Sequence, residues 1–340
     1  MERGACGELG EDIVSINAQE TAEKASFQAF FNAYLKEVDA GTWSNEPRAE
    51  LCWHGSTLNM SGAIVEVSLR HSSQSLLASI DYRTQVGCHS FKGVYLRSGE
   101  QLNCISFLEG QLQLIDSLYY ASSGSTTQYK YEFIQRVLES HQLMARYISE
   151  RWHDLSRRSL QFIDAEQALL FGHWQHPTPK SRQGMLGYHH QYYAPELKGQ
   201  FKLHYFSVSR DLVRQRSAIT VSAEDIINAT LWIPSNVPAD HVVLPMHPLQ
   251  AQWLLHQDFV QSLMDQEKVI DLGAHGKRFT ATSSVRSLYN ADLQWMYKFS
   301  LPVKITNSLR VNKRAELDAG VVMATLYKKT GFGTLYPFSR

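Results

Sequence analysis

Apolar residues recur at helical spacing early in the chain. Phe27, Phe30, Phe31, Tyr34, Leu35 and Val38 fall three and four apart, which predicts an amphipathic helix over 21–39 ending at Gly41. The pattern then shortens: Val65, Val67 and Leu69, then Val94 and Leu96, then Ile105, Phe107, Leu112 and Leu114 predict short antiparallel strands with tight connections. A helix followed by such a sheet is an α+β arrangement. The polar run Ser122-Ser-Gly-Ser-Thr-Thr127 interrupts the pattern and is the predicted boundary, giving an N-terminal α+β domain over 1–125 and a second, sheet-based domain over 126–340. Beyond the boundary, Phe133, Val137, Met144, Tyr147, Ile148 and Trp152 predict a long helix whose apolar stripe serves packing.

Further on, charges sit inside apolar strand text. Phe279–Ser284 and Gln294–Ile305 read as strands, the second with Trp295, Tyr297, Phe299 and Leu301 on one face and Lys298 and Ser300 on the other. Lys298 would then project from a sheet. With Ser284, Arg286, Thr306 and Arg310 nearby in sequence, several phosphate or carboxylate oxygens could be held at once, Arg by a bidentate fork and Lys as a point charge. For any single residue the plain alternative is a solvated strand face. The segment His173-Trp-Gln-His-Pro-Thr-Pro-Lys-Ser-Arg-Gln-Gly184 adds a second cationic cluster. Its prolines fix their own φ and push His176 and Thr178 away from helix, so Lys180 and Arg182 should be aimed, either at an anion or as parts of a structural turn.

Composition narrows the partners. The 340 residues are 44% hydrophobic, with 33 basic and 33 acidic side chains, so the chain can bury a large core but carries no electrostatic footprint for nucleic acid. Cys6, Cys52, Cys88 and Cys104 fit no zinc spacing and are expected to be free, mostly buried thiols of a reducing compartment. The start is acidic text, and no apolar run approaches the roughly 20 residues of a membrane span, so the cytoplasm is the expected location. Neither a P-loop nor a strand-linked GxGxxG occurs, so any nucleotide must be held by side chains.

These segments together resemble the NRPS-independent siderophore synthetases of the aerobactin-synthetase type. The resemblance rests on the loop ending Lys180-Ser-Arg-Gln-Gly184, the Pro245-Met-His-Pro248 stretch and Ser284-Val-Arg-Ser287. Lys298, the run Lys304-Ile-Thr-Asn-Ser-Leu-Arg310 and Glu316-Leu-Asp-Ala-Gly320 complete the order. It is strong over about 130–328 and loose before that. Two positions depart: His173-Trp174 stands where the family has His-Pro, and Ser287 where it has threonine, though serine keeps the hydroxyl. The resemblance implies ATP and Mg2+ as cofactors, a carboxylic acid such as citrate, and an amine or alcohol joined to it, with a homodimer among the assemblies it allows. It implies catalytic roles for His176, Arg286 and Lys298, ATP contacts from Lys180, Arg182, Ser284, Ser287 and Thr306, and a grip on the acid by Arg310, with no resident metal ligand.

Family members run on into a further C-terminal domain, whereas this sequence stops at Arg340, and Thr330–Arg340 departs from the family pattern. A truncated, non-catalytic remnant is therefore one alternative expectation. A zinc hydrolase using the pairs His173/His176 and His189/His190 with His204 and His247 is another, weakened because the prolines forbid a helical i, i+3 pair and no HExxH glutamate is present.

Overall fold

The computed structural model describes residues 17–44, 51–53, 56–58, 63–120, 126–155, 161–305, 308–310 and 313–331, with backbone alone at 51–53, 56–58, 126, 155 and 308–310. Helices and antiparallel sheets alternate in an α+β fold that divides into two compact units. One is Met1–Ser149 with Phe171–Lys180, the other Glu150–Leu170 with Ser181–Arg340. The predicted boundary at Ser122–Thr127 falls in the first unit; 121–125 lie outside the described residues.

In the first unit, helix α1 (Ala18–Glu37) starts where the Asn17 side chain accepts hydrogen bonds from the Gln19 and Glu20 amides, and buries Phe27, Phe30, Phe31 and Tyr34. The strands are β1 (Thr42–Ser44), β2 (Leu51–Trp53), β3 (Ser56–Leu58), β4 (Ile64–Ser68), β5 (Ser75–Tyr82), β6 (Ser90–Ser98) and β7 (Gln101–Ile105). They form an antiparallel sheet in the order β1-β4-β5-β6-β7, with β2 and β3 paired separately. Val65, Leu76, Ala78, Phe91 and Val94 meet the α1 aromatics in one core, where each large apolar side chain contributes roughly 1.5–3 kcal/mol.

The expected strand through Phe107, Leu112 and Leu114 is instead helix α2 (Phe107–Tyr119). A capping box decides it: the Ser106 hydroxyl accepts from the Glu109 amide while Glu109 accepts from the Ser106 amide. Gly110 lets this helix approach closely, since a Cβ there would stand 2.8 Å from Val94 Cγ1. Helix α3 (Thr126–Leu155) is the long helix the spacing predicts, with Val137, Met144, Tyr147 and Ile148 buried. Cys88 is half-buried and Cys104 exposed, so the expectation of buried thiols does not hold for Cys104, on the solvent side of β7.

The second unit contains α4 (Phe162–Gln167), β8 (Arg182–Gln183), α5 (His189–Tyr193), β9 (Gln200–Ser209), α6 (Ala223–Thr230), β10 (His241–Met246), α7 (Pro248–Leu255) and α8 (Asp258–Asp265). There follow β11 (Val269–Ala281), β12 (Ser287–Tyr289), β13 (Tyr297–Lys298), β14 (Leu301–Ile305), β15 (Ser308–Arg310) and α9 (Arg314–Lys329). One antiparallel sheet runs β10-β9-β11-β12-β13 and a second β15-β14-β8. Two strand expectations need correction. Phe279 to Ala281 are the last residues of the long β11, and Thr282–Ser284 form the turn after it. The predicted strand Gln294–Ile305 is two short strands in different sheets, β13 beside β12 and β14 between β8 and β15, because the chain changes hydrogen-bonding partners across Phe299 and Ser300. Among the described residues no helix is long and apolar enough to cross a membrane.

Candidate functional site: a strained turn and an edge-strand cation

The turn from β11 to β12 carries three of the predicted residues. The Thr282 amide donates to Ser287 O at 2.8 Å, the Val285 amide to Thr282 O at 2.8 Å, and the Ser287 amide to Ser284 Oγ at 3.1 Å. Thr282 Oγ1 and Ser284 Oγ share a further hydrogen bond at 3.2 Å. Between them Val285 has φ +66°, a left-handed conformation that costs a β-branched residue on the order of 1–3 kcal/mol. Burial opposes that cost: the Val285 side chain is fully enclosed with Met185, Leu249, Leu301 and Val303. The turn is thus pinned into the core of the β14 region while Ser283 and Ser284 stay exposed.

Strand pairing brings Lys298 to this turn. Ser287 stands opposite Lys298 across β12 and β13, and the Phe299 amide donates to Arg286 O at 2.9 Å. Lys298 is exposed on the edge strand and Arg286 is half-buried. Ser284, Arg286, Ser287 and Lys298 therefore form one constellation of hydroxyls and cations on a rigid hairpin, the arrangement an anion with several oxygens requires.

Arg182 stands elsewhere in the same unit. It is opposite Ile305 across β8 and β14, one residue before Thr306, which lies outside the described residues. Gly184, with φ +104°, closes the approach: a Cβ there would be 2.7 Å from Pro302 O. Arg182 is nevertheless committed to a partner, its two terminal nitrogens donating to Glu196 at 2.9 and 2.6 Å with side chains only 4% and 2% exposed. Arg151 extends the network, donating to Glu196 O and, at 3.0 Å, to Asp154, which also accepts from Lys198 at 2.9 Å. These donors hold the Asp154 carboxyl below its ordinary range, Lys198 contributing most. Arg310 ends β15, pairing with Leu301 through its backbone; its side chain lies outside the described residues.

His176 and Lys180 belong to the first unit, in the loop that the prolines predict. His176 Nδ1 accepts from the Thr178 amide at 3.1 Å, which places the proton of the neutral ring on Nε2 as a donor. Lys180 is buried, its amide donating to Ser140 Oγ at 2.9 Å and its Nζ 6.0 Å from the Tyr147 ring centroid, a cation–π contact. The twelve-residue segment is thus not one cationic loop: Lys180 ends a stretch of one unit and Arg182 begins a strand of the other.

His247 and His204 do structural work. His247 caps α7, its Nδ1 accepting from the Leu249 amide at 3.1 Å, and its ring is buried between Tyr193 and Phe201. Desolvation, reinforced by His189, pushes its pKa down to about 3. His204 pairs with Asp271 at 2.5 Å across β9 and β11. Among the described residues no three His, Cys, Asp or Glu side chains converge as a metal-ligand set, so the zinc-hydrolase alternative finds no site there. Magnesium likewise finds no acidic ligand set among them.

Two functional candidates had no signal in the sequence. Glu196 sits in a 3-10 turn after Pro195 and meets Arg182 only through the fold. Glu166, in α4, reaches the β11–β12 turn across 117 positions of sequence.

The geometry can be set beside known proteins. A spermidine-citrate ligase of Bacillus anthracis is 34% identical over 329 residues, covering 90% of this chain and 53% of that protein. An N(2)-citryl-N(6)-acetyl-N(6)-hydroxylysine synthase of Vibrio mimicus is 36% identical over 197 residues, covering 55% and 33%. The solved ATP-bound aerobactin synthetase IucA of Klebsiella pneumoniae superposes with a TM-score of 0.78 at 26% identity, over 92% of this chain and 55% of that one. The chain spans about half the length of the first and third of these. The sequence profile of the IucA / IucC family matches residues 161–333, which contain the strained turn, the edge-strand lysine and the Arg182–Glu196 pair, and the chain belongs to that family.

Proposed function

We propose that this chain is an ATP-dependent siderophore synthetase that adenylates a carboxylic acid, citrate in the first instance, and joins it to an amine or alcohol. The observation that carries the reading is the hairpin constellation of Ser284, Arg286, Ser287 and Lys298, which sets two cations and two hydroxyls on one turn and the strand paired beside it. The names of the relatives support the acid: a spermidine-citrate ligase and a citryl-hydroxylysine synthase.

A carboxylate is a poor electrophile. Its oxygen attacks the α-phosphorus of ATP, the bond to the β-phosphate oxygen breaks and pyrophosphate leaves, producing an acyl adenylate. The amine or hydroxyl then attacks the acyl carbon, gives up its proton and expels AMP. Negative charge grows on phosphoryl oxygens in the first step, and pre-positioned cations stabilise it more than the ground state. Lys298 and Arg286 fill that role, with Ser284 and Ser287 donating hydrogen bonds. Thr306, Arg182 and Lys180 are proposed as further ATP contacts, His176 as a donor to the α-phosphate, and Arg310 as the grip on the acid. Arg182 is held by Glu196, so its main effect would be to tie β8 to the turn that carries Glu196. Magnesium, bound with the nucleotide, would neutralise phosphate charge.

The test is incubation of the 340-residue protein with ATP, magnesium, citrate and excess hydroxylamine, reading citrate-dependent hydroxamate and pyrophosphate. Both products are expected. Folded protein that binds ATP but forms neither would favour the second reading, a chain that holds nucleotide without completing the reaction. One observation speaks for that reading: Val322, Met323 and Leu326, on one face of α9, are each at least half exposed.

A further inference from the structure

We infer that Glu166 is a positioning residue for the nucleotide turn, an inference that rests on the ATP reading above. Glu166 stands near the end of α4, a short helix anchored on β12 by the contact of Phe162 with Tyr289, ring centroids 5.4 Å apart. A single oxygen, Oε2, accepts both the amide of Ser283 at 2.9 Å and its hydroxyl at 2.6 Å. That fixes the backbone and the side chain of the residue immediately before Ser284.

The turn needs such a clamp. Val285 occupies a left-handed conformation that persists only where its surroundings over-determine it. From below, the enclosed Val285 side chain holds it; from the other side, the described residues supply the Glu166 carboxylate. With both anchors in place Ser284 Oγ keeps its bonds to the Ser287 amide and Thr282 Oγ1, and Arg286 stays tied through its carbonyl to the strand of Lys298. Without the clamp, Ser283 and Ser284 are exposed residues beside the strained Val285, whose relaxation toward φ below zero would carry the hydroxyl and guanidinium out of register.

Charge makes the inference sharp. A carboxylate beside a triphosphate site repels the ligand, so if Glu166 acted only through its charge, removing it would tighten ATP binding. A positioning role predicts the opposite sign. ATP binding to the 340-residue protein should be titrated by calorimetry for the parent, Glu166→Ala, Glu166→Gln, Ser283→Ala and the double alanine variant, with a thermal melt of each. Glu166→Ala should weaken ATP about tenfold with its melting temperature within a few degrees of the parent, the loss of charge-assisted hydrogen bonds to Ser283. Glu166→Gln keeps an accepting oxygen and should restore binding to near the parent. Ser283→Ala should add little in the Glu166→Ala background, because both act through one contact. Glu166→Ala that binds ATP as tightly as the parent, or more tightly, overturns the inference. A folded parent that binds no ATP overturns the ATP reading itself, and the inference with it.

Discussion

Two sets of cations in this protein, alike in sequence, have opposite physical status. Arg182 is buried and bound to Glu196 through two short hydrogen bonds, within a network that runs on to Arg151, Asp154 and Lys198. Lys298 stands exposed on an edge strand, paired through its backbone with Ser287. A buried charge must have its partner built into the fold, whereas an exposed one beside a rigid turn can take its partner from solution. The first kind therefore shapes the framework, and the second is the kind proposed to meet the ligand. A cationic motif read from sequence mixes the two.

The largest effect that would break this contrast lies at Arg182. Replacing it by alanine removes the bidentate partner of the buried Glu196 carboxylate, and should destabilise the second unit by about 3–5 kcal/mol in a denaturant titration. A loss below 1 kcal/mol would show the pair to be a bystander. Lys298→Ala should behave in the opposite way. Stability should stay within about 0.5 kcal/mol, as at most exposed sites. Turnover should fall by the equivalent of about 2.7–4 kcal/mol, the magnitude found when one pre-positioned donor is removed from a site of developing charge.

His247 sharpens the comparison by pH. Folded, it is held neutral down to about pH 3; unfolded, it takes up a proton near 6.5. Its contribution is thus complete above that ordinary value and drains away as pH falls from 6.5 toward 3, by about 1.4 kcal/mol per unit. His247→Asn, which retains an N-cap for α7, should flatten the acid limb of the stability profile by that slope while leaving the neutral plateau's shape unchanged. An unaltered limb would place the titrating group elsewhere. The smallest effect belongs to the outer end of the buried network: Lys198→Ala removes a half-exposed bridge to Asp154 and should cost only about 0.2–1 kcal/mol in the same titration.

How far the sequence carried can be read from particular segments. Helix α1 was legible because its aromatics, Phe27 to Tyr34, fall three and four apart over about two turns, and α3 because its apolar residues recur at similar spacing. Helix α2 was misread as strand, although Ser106 and Glu109 spelled its start, because short apolar stretches fit either period. The split of 294–305 between two sheets was illegible: alternation reports which face is buried, never which neighbour a strand pairs with. The candidate site divided along the same line. Motif order picked out Ser284, Arg286, Ser287 and Lys298, which the hairpin brings together. It could not show that Arg182 answers to Glu196 or that Ser283 answers to Glu166, since both acids meet their partners through tertiary structure with no local signature.

The contrast between committed and available cations is tested most directly by one paired measurement. Citrate-dependent pyrophosphate release and the melting temperature should be recorded together for the parent and for Lys298→Ala. The account predicts release by the parent, a fall of at least about a hundredfold in the variant, and coincident melts. A variant that melts with the parent and releases pyrophosphate within a few-fold of it would contradict the account, because the exposed cation would then not be part of the site.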